Sequence, residues 1–349
     1  MAVLEGAAEL LAAWGLGGQA TLTARHGTNN QTFAVASDGQ RFALRISANL
    51  SAAQVEAEHR LLSRLRQASL PFAVPEPVPT FDGTTWVHTA GGPATLCRWL
   101  PGVRPDLSRP AALESFGRAI AILSQALARV PLRDAPNDWR GEPLAVHPDQ
   151  PRLRELRQAL AAAGLDREQA MCPETAAERV TAGWASVHGG LPVQVVHGDV
   201  GGSNTLVHER SGAVTALLDF EIAGADFRVQ DLVVGLLHSG ALEGAGWRAR
   251  TSALAGGFCA VVPLGQAEVD AVPDMLLGRR LGSVLWRAGR WQRGQASIGE
   301  VIGRVRELDA TSRWLAGHAD ELRSLLASVG GPTGTGPTAA WCGTTPSAP

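Results

Sequence analysis

The period of hydrophobic and polar positions changes along the chain and divides the sequence into two parts. Up to about residue 100, short alternating runs predict β-strands at 21–25, 32–36, 41–46 and 86–89. Asp38 and Gly39 lie between the second and third runs and are typical of a hairpin turn. Helical spacing appears over 3–14 and again from Ser51 to about Gln67, where Ser51 and Gln54 form a capping-box pattern. This pattern predicts an α+β unit over residues 1–100.

Beyond residue 100 the period is mainly helical, with one strand-rich interruption. Helices are predicted at 113–130, 152–163, 175–187, 229–237, 247–260, 273–293 and 298–326. Strands are predicted at 193–196, 205–208 and 214–218. We therefore expect a second, mainly helical unit over 101–329. The remaining residues, 330–349, are rich in Gly, Pro and Thr, and we expect a disordered tail.

One absence in the composition excludes several kinds of enzyme. All 31 Lys and Arg positions are arginine, so the chain contains no lysine. It cannot form a Schiff base through a lysine amine, hold pyridoxal phosphate covalently, or carry the lysine of a phosphate-binding P-loop. If the chain binds a nucleotide, arginine takes the place of lysine.

Charge, cysteine spacing and hydropathy indicate the expected environment. The formal net charge of −2 comes without a block of like charges, so we expect neither nucleic acid nor a membrane as a partner. The four cysteines are far apart and form no C-x-x-C pair, which argues against a zinc site or a disulfide framework. The N-terminus is acidic rather than basic, unlike a secretory signal, and no run approaches the ~20 apolar residues of a membrane span. We expect a cytoplasmic protein.

A group of polar residues in the strand-rich interruption carries the chemical signal. His197 and Asp199 are followed, five residues after the aspartate, by Asn204, and a second apolar run then ends at Asp219. This is the spacing of a kinase catalytic loop, in which an aspartate accepts the proton of the substrate hydroxyl and an asparagine holds a metal ion. Phosphoryl transfer needs such a base and oxygen ligands for Mg²⁺. The spacing therefore predicts a phosphotransferase.

The sequences HGDVGGSN from His197, LLDFE around Asp219 and QDL around Asp231 resemble the aminoglycoside phosphotransferase superfamily, which includes choline kinases and type II homoserine kinases. The resemblance covers most of residues 15–330. It implies a protein-kinase-like α+β fold of two lobes that uses ATP and Mg²⁺ to phosphorylate a small-molecule hydroxyl. Asp199 would be the catalytic base, supported by His197, which orders the loop. Asn204 and Asp219 would bind Mg²⁺, and Asp231 would hold the loop through backbone hydrogen bonds.

The resemblance also assigns backbone contacts to the nucleotide in the first unit. Gly27 and Asn30 lie between two predicted strands and are similar to the family loop whose N–H groups cover the phosphates. A polar hairpin turn is the alternative. The segment from Arg98 to Leu100 resembles the hinge between the lobes, whose backbone would bond the adenine edge.

A cation and a carboxylate complete the expected nucleotide site. Arg45 stands in the strand position where protein kinases carry lysine, and its fork suits both phosphates and a carboxylate. Glu58, in the following helix, is its candidate partner. The alternative is that both are solvated surface charges.

The residues do not determine which small molecule accepts the phosphate. Aminoglycosides are polycations and need an acidic pocket, whereas homoserine needs a cation for its carboxylate. The helix 273–293 carries five arginines against one Asp, which favours the second, unless these arginines form a solvated face. His238 is a further candidate contact to the acceptor. An aminoglycoside or choline-type kinase and a nucleotide-binding pseudokinase remain as alternative functions.

Overall fold

The computed structural model of the chain describes residues 10–16, 20–25, 30–140, 144–187 and 190–330. The first part of the chain forms an antiparallel five-stranded sheet in the order β1-β2-β3-β5-β4. The strands are β1 (Thr21–Arg25), β2 (Gln31–Ser37), β3 (Gln40–Ile46), β4 (Val87–Thr89) and β5 (Gly92–Arg98). Asp38 and Gly39 make the β2–β3 turn with φ values of 48° and 75°, as the two-residue hairpin requires. The predicted hairpin is confirmed.

One helix, α1 (Ala52–Gln67), follows β3 and begins at the predicted capping box. The Ser51 hydroxyl accepts from the Gln54 N–H, and the Gln54 side chain accepts from the Ser51 N–H. The helix buries Leu61, Leu62 and Leu65 against the helical part of the chain. It also buries Glu58, a charged residue that therefore needs a partner.

The rest of the described chain is mainly helical, with two small sheets. The helices are α2 (Pro110–Leu127), α3 (Leu153–Ala162), α4 (Arg167–Val187), α5 (Gln230–His238), α6 (Trp247–Cys259), α7 (Gln266–Gln292) and α8 (Ile298–Val329). One sheet has the order β6-β10-β7, from β6 (Asn137–Asp138), β7 (Val193–Val196) and β10 (Gly224–Phe227). The other pairs β8 (Thr205–Val207) with β9 (Val214–Leu217). Single 3-10 turns lie at Leu11–Trp14, Leu132–Asp134 and Gly202–Asn204.

The hydrophobic residues form two clusters. The smaller lies between the five-stranded sheet and the turn at Leu11–Trp14, and the larger unites the helices with the inner face of α1. Within the larger cluster α2 and α6 approach through glycines: a Cβ on Gly117 would lie 2.0 Å from the Leu254 carbonyl oxygen, and one on Gly257 would lie 2.1 Å from the Glu114 oxygen. Only glycine permits such close contact between two helices.

Several predicted boundaries are wrong. α7 begins at Gln266 rather than residue 273, and α4 begins at Arg167 rather than residue 175, so that Pro273 and Pro173 lie inside helices. In α7 the turn before the proline is retained because the Glu268 carboxylate caps the Gly265 N–H and because Val269 and Val272 are buried.

Other predictions fall on parts of the chain that are not described. Positions 3–9 of the first predicted helix and residues 331–349 of the expected tail lie outside the described residues. The division of the chain at residue 100 stays a prediction. Among the described helices, none is both long and apolar enough to cross a bilayer.

Candidate active site

The loop that follows β7 is fixed by buried hydrogen bonds. The carboxylate of Asp231, at the start of α5, is fully buried and accepts the N–H groups of His197 and Gly198 at 3.0 and 2.8 Å. His197 is also fully buried; its Nδ1 accepts the Asp199 N–H at 3.1 Å, and its Nε2 lies 3.0 Å from the Leu218 carbonyl oxygen. Backbone groups therefore engage both ring nitrogens, as expected for a residue that orders the loop.

Asn204 ties the loop to its own aspartate. Its Nδ2 donates to the main-chain oxygen and to Oδ2 of Asp199, both at 2.9 Å. The amide nitrogen is therefore used, while Oδ1 of Asn204 has no partner among the described residues. The main-chain oxygen of Asn204 accepts the Leu218 N–H at 2.8 Å, which places Asn204 beside the residue that precedes Asp219.

Asp219 has an unusual backbone. Its φ of 66° lies in the left-handed region, which costs energy for a residue other than glycine. The carboxylate is about one third exposed, and its Oδ1 lies 3.4 Å from Nη1 of Arg45. The strained turn thus directs a partly open carboxylate toward the sheet of the first part of the chain.

Arg45 connects that sheet to both carboxylates. Its Nη2 lies 2.5 Å from Oε2 of Glu58, whose side chain is 3% exposed, so the pair is not a surface contact. Burial alone would lower the pKa of Arg45, but Glu58 and Asp219 raise it well above its ordinary value. The arginine therefore stays charged. The predicted contact between Arg45 and Glu58 is present, and its role toward phosphate stays a prediction.

Glu221 is a site residue that the sequence analysis missed. It accepts from Nδ2 of Asn30 at 2.5 Å, which joins the β1–β2 connection to the residues after β9. Burial, followed by repulsion from Asp219, raises the pKa of Glu221 to about 7. The Oδ1 atom of Asn30 is buried without a partner among the described residues. Gly27, the other predicted residue of this loop, lies outside the described residues.

Some backbone N–H groups of the predicted hinge already make hydrogen bonds within the protein. The Arg98 N–H donates to the main-chain oxygen of Glu76 at 3.0 Å, and the Trp99 N–H donates to the main-chain oxygen of Arg41 at 3.1 Å. The Arg41 guanidinium also stacks on the Trp99 ring, 4.2 Å from its centroid. The Arg98 N–H is thus occupied, whereas the Leu100 N–H makes no backbone bond within the described chain. Leu100 stays the better candidate for an adenine contact.

The far side of Asp199 contacts α7. Oδ1 of Asp199 accepts a hydrogen bond from Nη2 of Arg279 at 3.0 Å and lies 3.8 Å from Nδ1 of His238. The arginines of α7 do not form one solvated face, because Arg287 and Arg290 are buried. Proximity of Arg279 to Asp199 could not be read from spacing, since 80 residues separate them.

Arg279 also lines a cavity of about 390 Å³ between α4, α7 and the β6–β10 edge. Its wall is partly aromatic and partly charged, and includes Trp139, Trp184, Phe227, Asp138, Gln230 and Asp274. A cavity of this size accommodates a small molecule.

The polar groups suit a nucleotide and a divalent cation. Mg²⁺ prefers few protein ligands, all oxygens, and keeps waters and phosphate oxygens. Oδ1 of Asn204 and the open carboxylate of Asp219 are oxygen atoms of this kind. No group of three or more acidic, His or Cys side chains that could hold a metal occurs in the described ranges. Arg45, between the two lobes, is a cation of the kind that binds phosphates.

Comparison with known proteins places the chain in a family. Residues 21–271 match the model of the phosphotransferase enzyme family. The homoserine kinase of Xanthobacter autotrophicus is 32% identical over 227 residues, which are 62% of this chain and 64% of that enzyme, so the match spans less than two thirds of the relative.

Two solved structures share the fold. A microcompartment-associated aminopropanol kinase has a TM-score of 0.68 and 19% identity, covering 94% of this chain and 98% of its own. An amicoumacin kinase in complex with AMP-PNP, Ca²⁺ and Ami has a TM-score of 0.64 and 16% identity, covering 93% and 92%. The chain therefore belongs to the phosphotransferase enzyme family and has its kinase-like, two-lobed α+β fold.

Proposed function

We propose that this protein transfers the γ-phosphate of ATP, in the presence of Mg²⁺, to the hydroxyl of a small homoserine-like amino alcohol. The observation that carries the proposal is the Asn204 amide, which fixes Asp199 and leaves its own Oδ1 unpaired, as a kinase catalytic loop requires. Family membership and the homoserine kinase relative support the same reaction.

In this mechanism Asp199 accepts the proton of the acceptor hydroxyl while the new oxygen–phosphorus bond forms and the bond to the β-phosphate oxygen breaks, releasing ADP. Asn204 holds the Asp199 carboxylate in one orientation through Oδ2. His197 and Asp231 fix the loop backbone. Because these bonds exist before substrate binds, the base needs no reorganisation during the reaction.

Arg45 and the metal ligands act on the nucleotide. Arg45, fixed by Glu58, would bind the α- and β-phosphates through its remaining N–H groups. Asn204 and Asp219 would hold Mg²⁺, which when bound supplies positive charge to the phosphate oxygens.

Two other functions make different predictions. An aminoglycoside or choline-type kinase would act on polycationic or quaternary ammonium acceptors, and a polycation in particular is disfavoured by Arg279 beside the base. A pseudokinase would bind nucleotide without turnover and would have no chemical need for Asp199, Asn204 and Asp219 together.

An acceptor panel separates the three. Purified protein with Mg·ATP is incubated with homoserine, 1-aminopropan-2-ol, choline or kanamycin, and both ADP and the phosphate monoester are quantified, the latter by ³¹P NMR. We expect equal amounts of ADP and ester from homoserine or the amino alcohol. Ester from choline or kanamycin alone would support the second function, and nucleotide binding without any ester would support the third.

A further inference from the structure

Arg279 has donors to spare at the catalytic base. A guanidinium carries five N–H donors, and Arg279 uses Nη2 on Oδ1 of Asp199. Its other nitrogens have no hydrogen-bond partner among the described residues, and its side chain is 27% exposed. An anion next to Asp199 could therefore bind Arg279 without displacing the existing contact.

The neighbouring basic side chains are hydrogen-bonded to a carboxylate or uncharged. Glu307 accepts from Arg280 at 2.9 Å and from Arg304 at 2.9 and 3.0 Å. Burial, followed by the charge of Arg279, lowers the pKa of His238 to about 4, so its ring is neutral at pH 7. Arg279 is thus the cation best placed to receive an anion near the base.

The cavity supports the same conclusion. Of the described residues that line it, Arg279 is the one cation, and the same side chain contacts Asp199. The lining carboxylates of Asp138 and Asp274 are paired with Arg140 and Arg179 and would repel a second anion elsewhere on the wall. A ligand with one carboxylate therefore has a defined place to bind, beside the base.

We propose that Arg279 binds the carboxylate of the acceptor and so makes the enzyme select hydroxy amino acids over amino alcohols that lack a carboxylate. This inference rests on the proposed function, because it assumes that the acceptor hydroxyl reaches Asp199. With one arm of the fork on the base and the others on the carboxylate, Arg279 sets the position of the hydroxyl relative to Oδ1 of Asp199.

A matched pair of acceptors tests this assignment. L-homoserine and 3-aminopropan-1-ol have the same chain between hydroxyl and ammonium and differ only by the carboxylate. The kcat/KM for each is measured with wild type, Arg279→Gln and Arg313→Gln, a control on α8 whose side chain is 70% exposed. We expect Arg279→Gln to lower kcat/KM for homoserine by roughly 10- to 100-fold more than for 3-aminopropan-1-ol. Arg313→Gln should change neither value.

Equal losses for both acceptors would overturn the inference, since Arg279 would then act only on Asp199 or on the transferred phosphoryl group. Calorimetry with homoserine gives a second readout that does not need turnover. Binding to wild type with at least roughly 10-fold weaker binding to Arg279→Gln supports the inference, and equal binding overturns it. If wild type binds homoserine but makes no ester from any acceptor, the proposed function fails while the role of Arg279 is still decided.

Discussion

Replacement of Arg45 separates its structural role from its role toward the nucleotide. Arg45→Ala removes the partner of Glu58, whose side chain is only 3% exposed. An uncompensated buried charge costs about 3–5 kcal/mol. In a chain of this size each kcal/mol lowers the melting temperature by about 2 °C, so we expect a decrease of about 6–10 °C. Loss of the charge–phosphate bonds should also lower kcat/KM for ATP by roughly 10- to 100-fold.

A double variant distinguishes the two effects. In Arg45→Met with Glu58→Leu no buried charge is left unpaired, since the Asp219 carboxylate is about one third exposed, so thermal melting should return to near the wild-type value. The defect in kcat/KM for ATP, measured by ADP release, should remain. Arg60→Ala, whose side chain is 68% exposed, is the control and should change neither quantity. Arg41 is unsuitable as a control because it stacks on Trp99 in the predicted hinge. Wild-type use of ATP by the double variant would refute the assignment of Arg45 to phosphate binding.

Three further predictions follow from particular residues. Because the folded-state pKa of Glu221 is raised to about 7, wild type loses stability as the pH rises from 5 to 8. The free energy of unfolding of Glu221→Gln, measured by urea denaturation, should therefore exceed that of wild type by up to about 3 kcal/mol at pH 8 and by little at pH 5. The same gain at both pH values would contradict this. Asp219→Asn keeps a residue that tolerates left-handed backbone, so we expect an unchanged melting temperature and a kcat lower by more than about 10²-fold; full activity would exclude Asp219 as a metal ligand. Gly117→Ala should destabilise the protein by about 1–3 kcal/mol, because its Cβ would meet the main-chain oxygen of Leu254. Gly303→Ala, in open space on α8, should stabilise it by up to about 1 kcal/mol. Similar effects of the two substitutions would contradict the close α2–α6 contact.

Much of the candidate catalytic loop could be predicted because its residues lie within one segment. The stretch from His197 to Asp231 contains Asp199, the Asn204 amide and the Asp231 carboxylate, so spacing carries the information. Arg45 and Glu58 are on a strand and the next helix; the pattern placed them on these elements, and the resemblance to kinases predicted their contact.

Contacts between distant segments could not be predicted in this way. Arg279 lies 80 residues after Asp199, and Glu221 lies 191 residues after Asn30, so tertiary packing alone joins them. β10 was missed because it is the middle strand of its sheet and all four residues are buried, which removes the alternation that identifies a strand. Helices α4 and α7 are predicted from the sequence to begin at residues 175 and 273, after Pro173 and at Pro273, whereas both helices continue through the prolines because burial of neighbouring residues outweighs their local cost.

The central claim is that Asp199 takes the proton of an acceptor hydroxyl. Single-turnover phosphoryl transfer to homoserine is measured with saturating Mg·ATP for wild type and Asp199→Asn, together with nucleotide binding by calorimetry. Asparagine keeps the size of the side chain and loses the base, so we predict a rate at least ~10²-fold lower with nucleotide affinity retained. Transfer by Asp199→Asn at the wild-type rate would contradict the account.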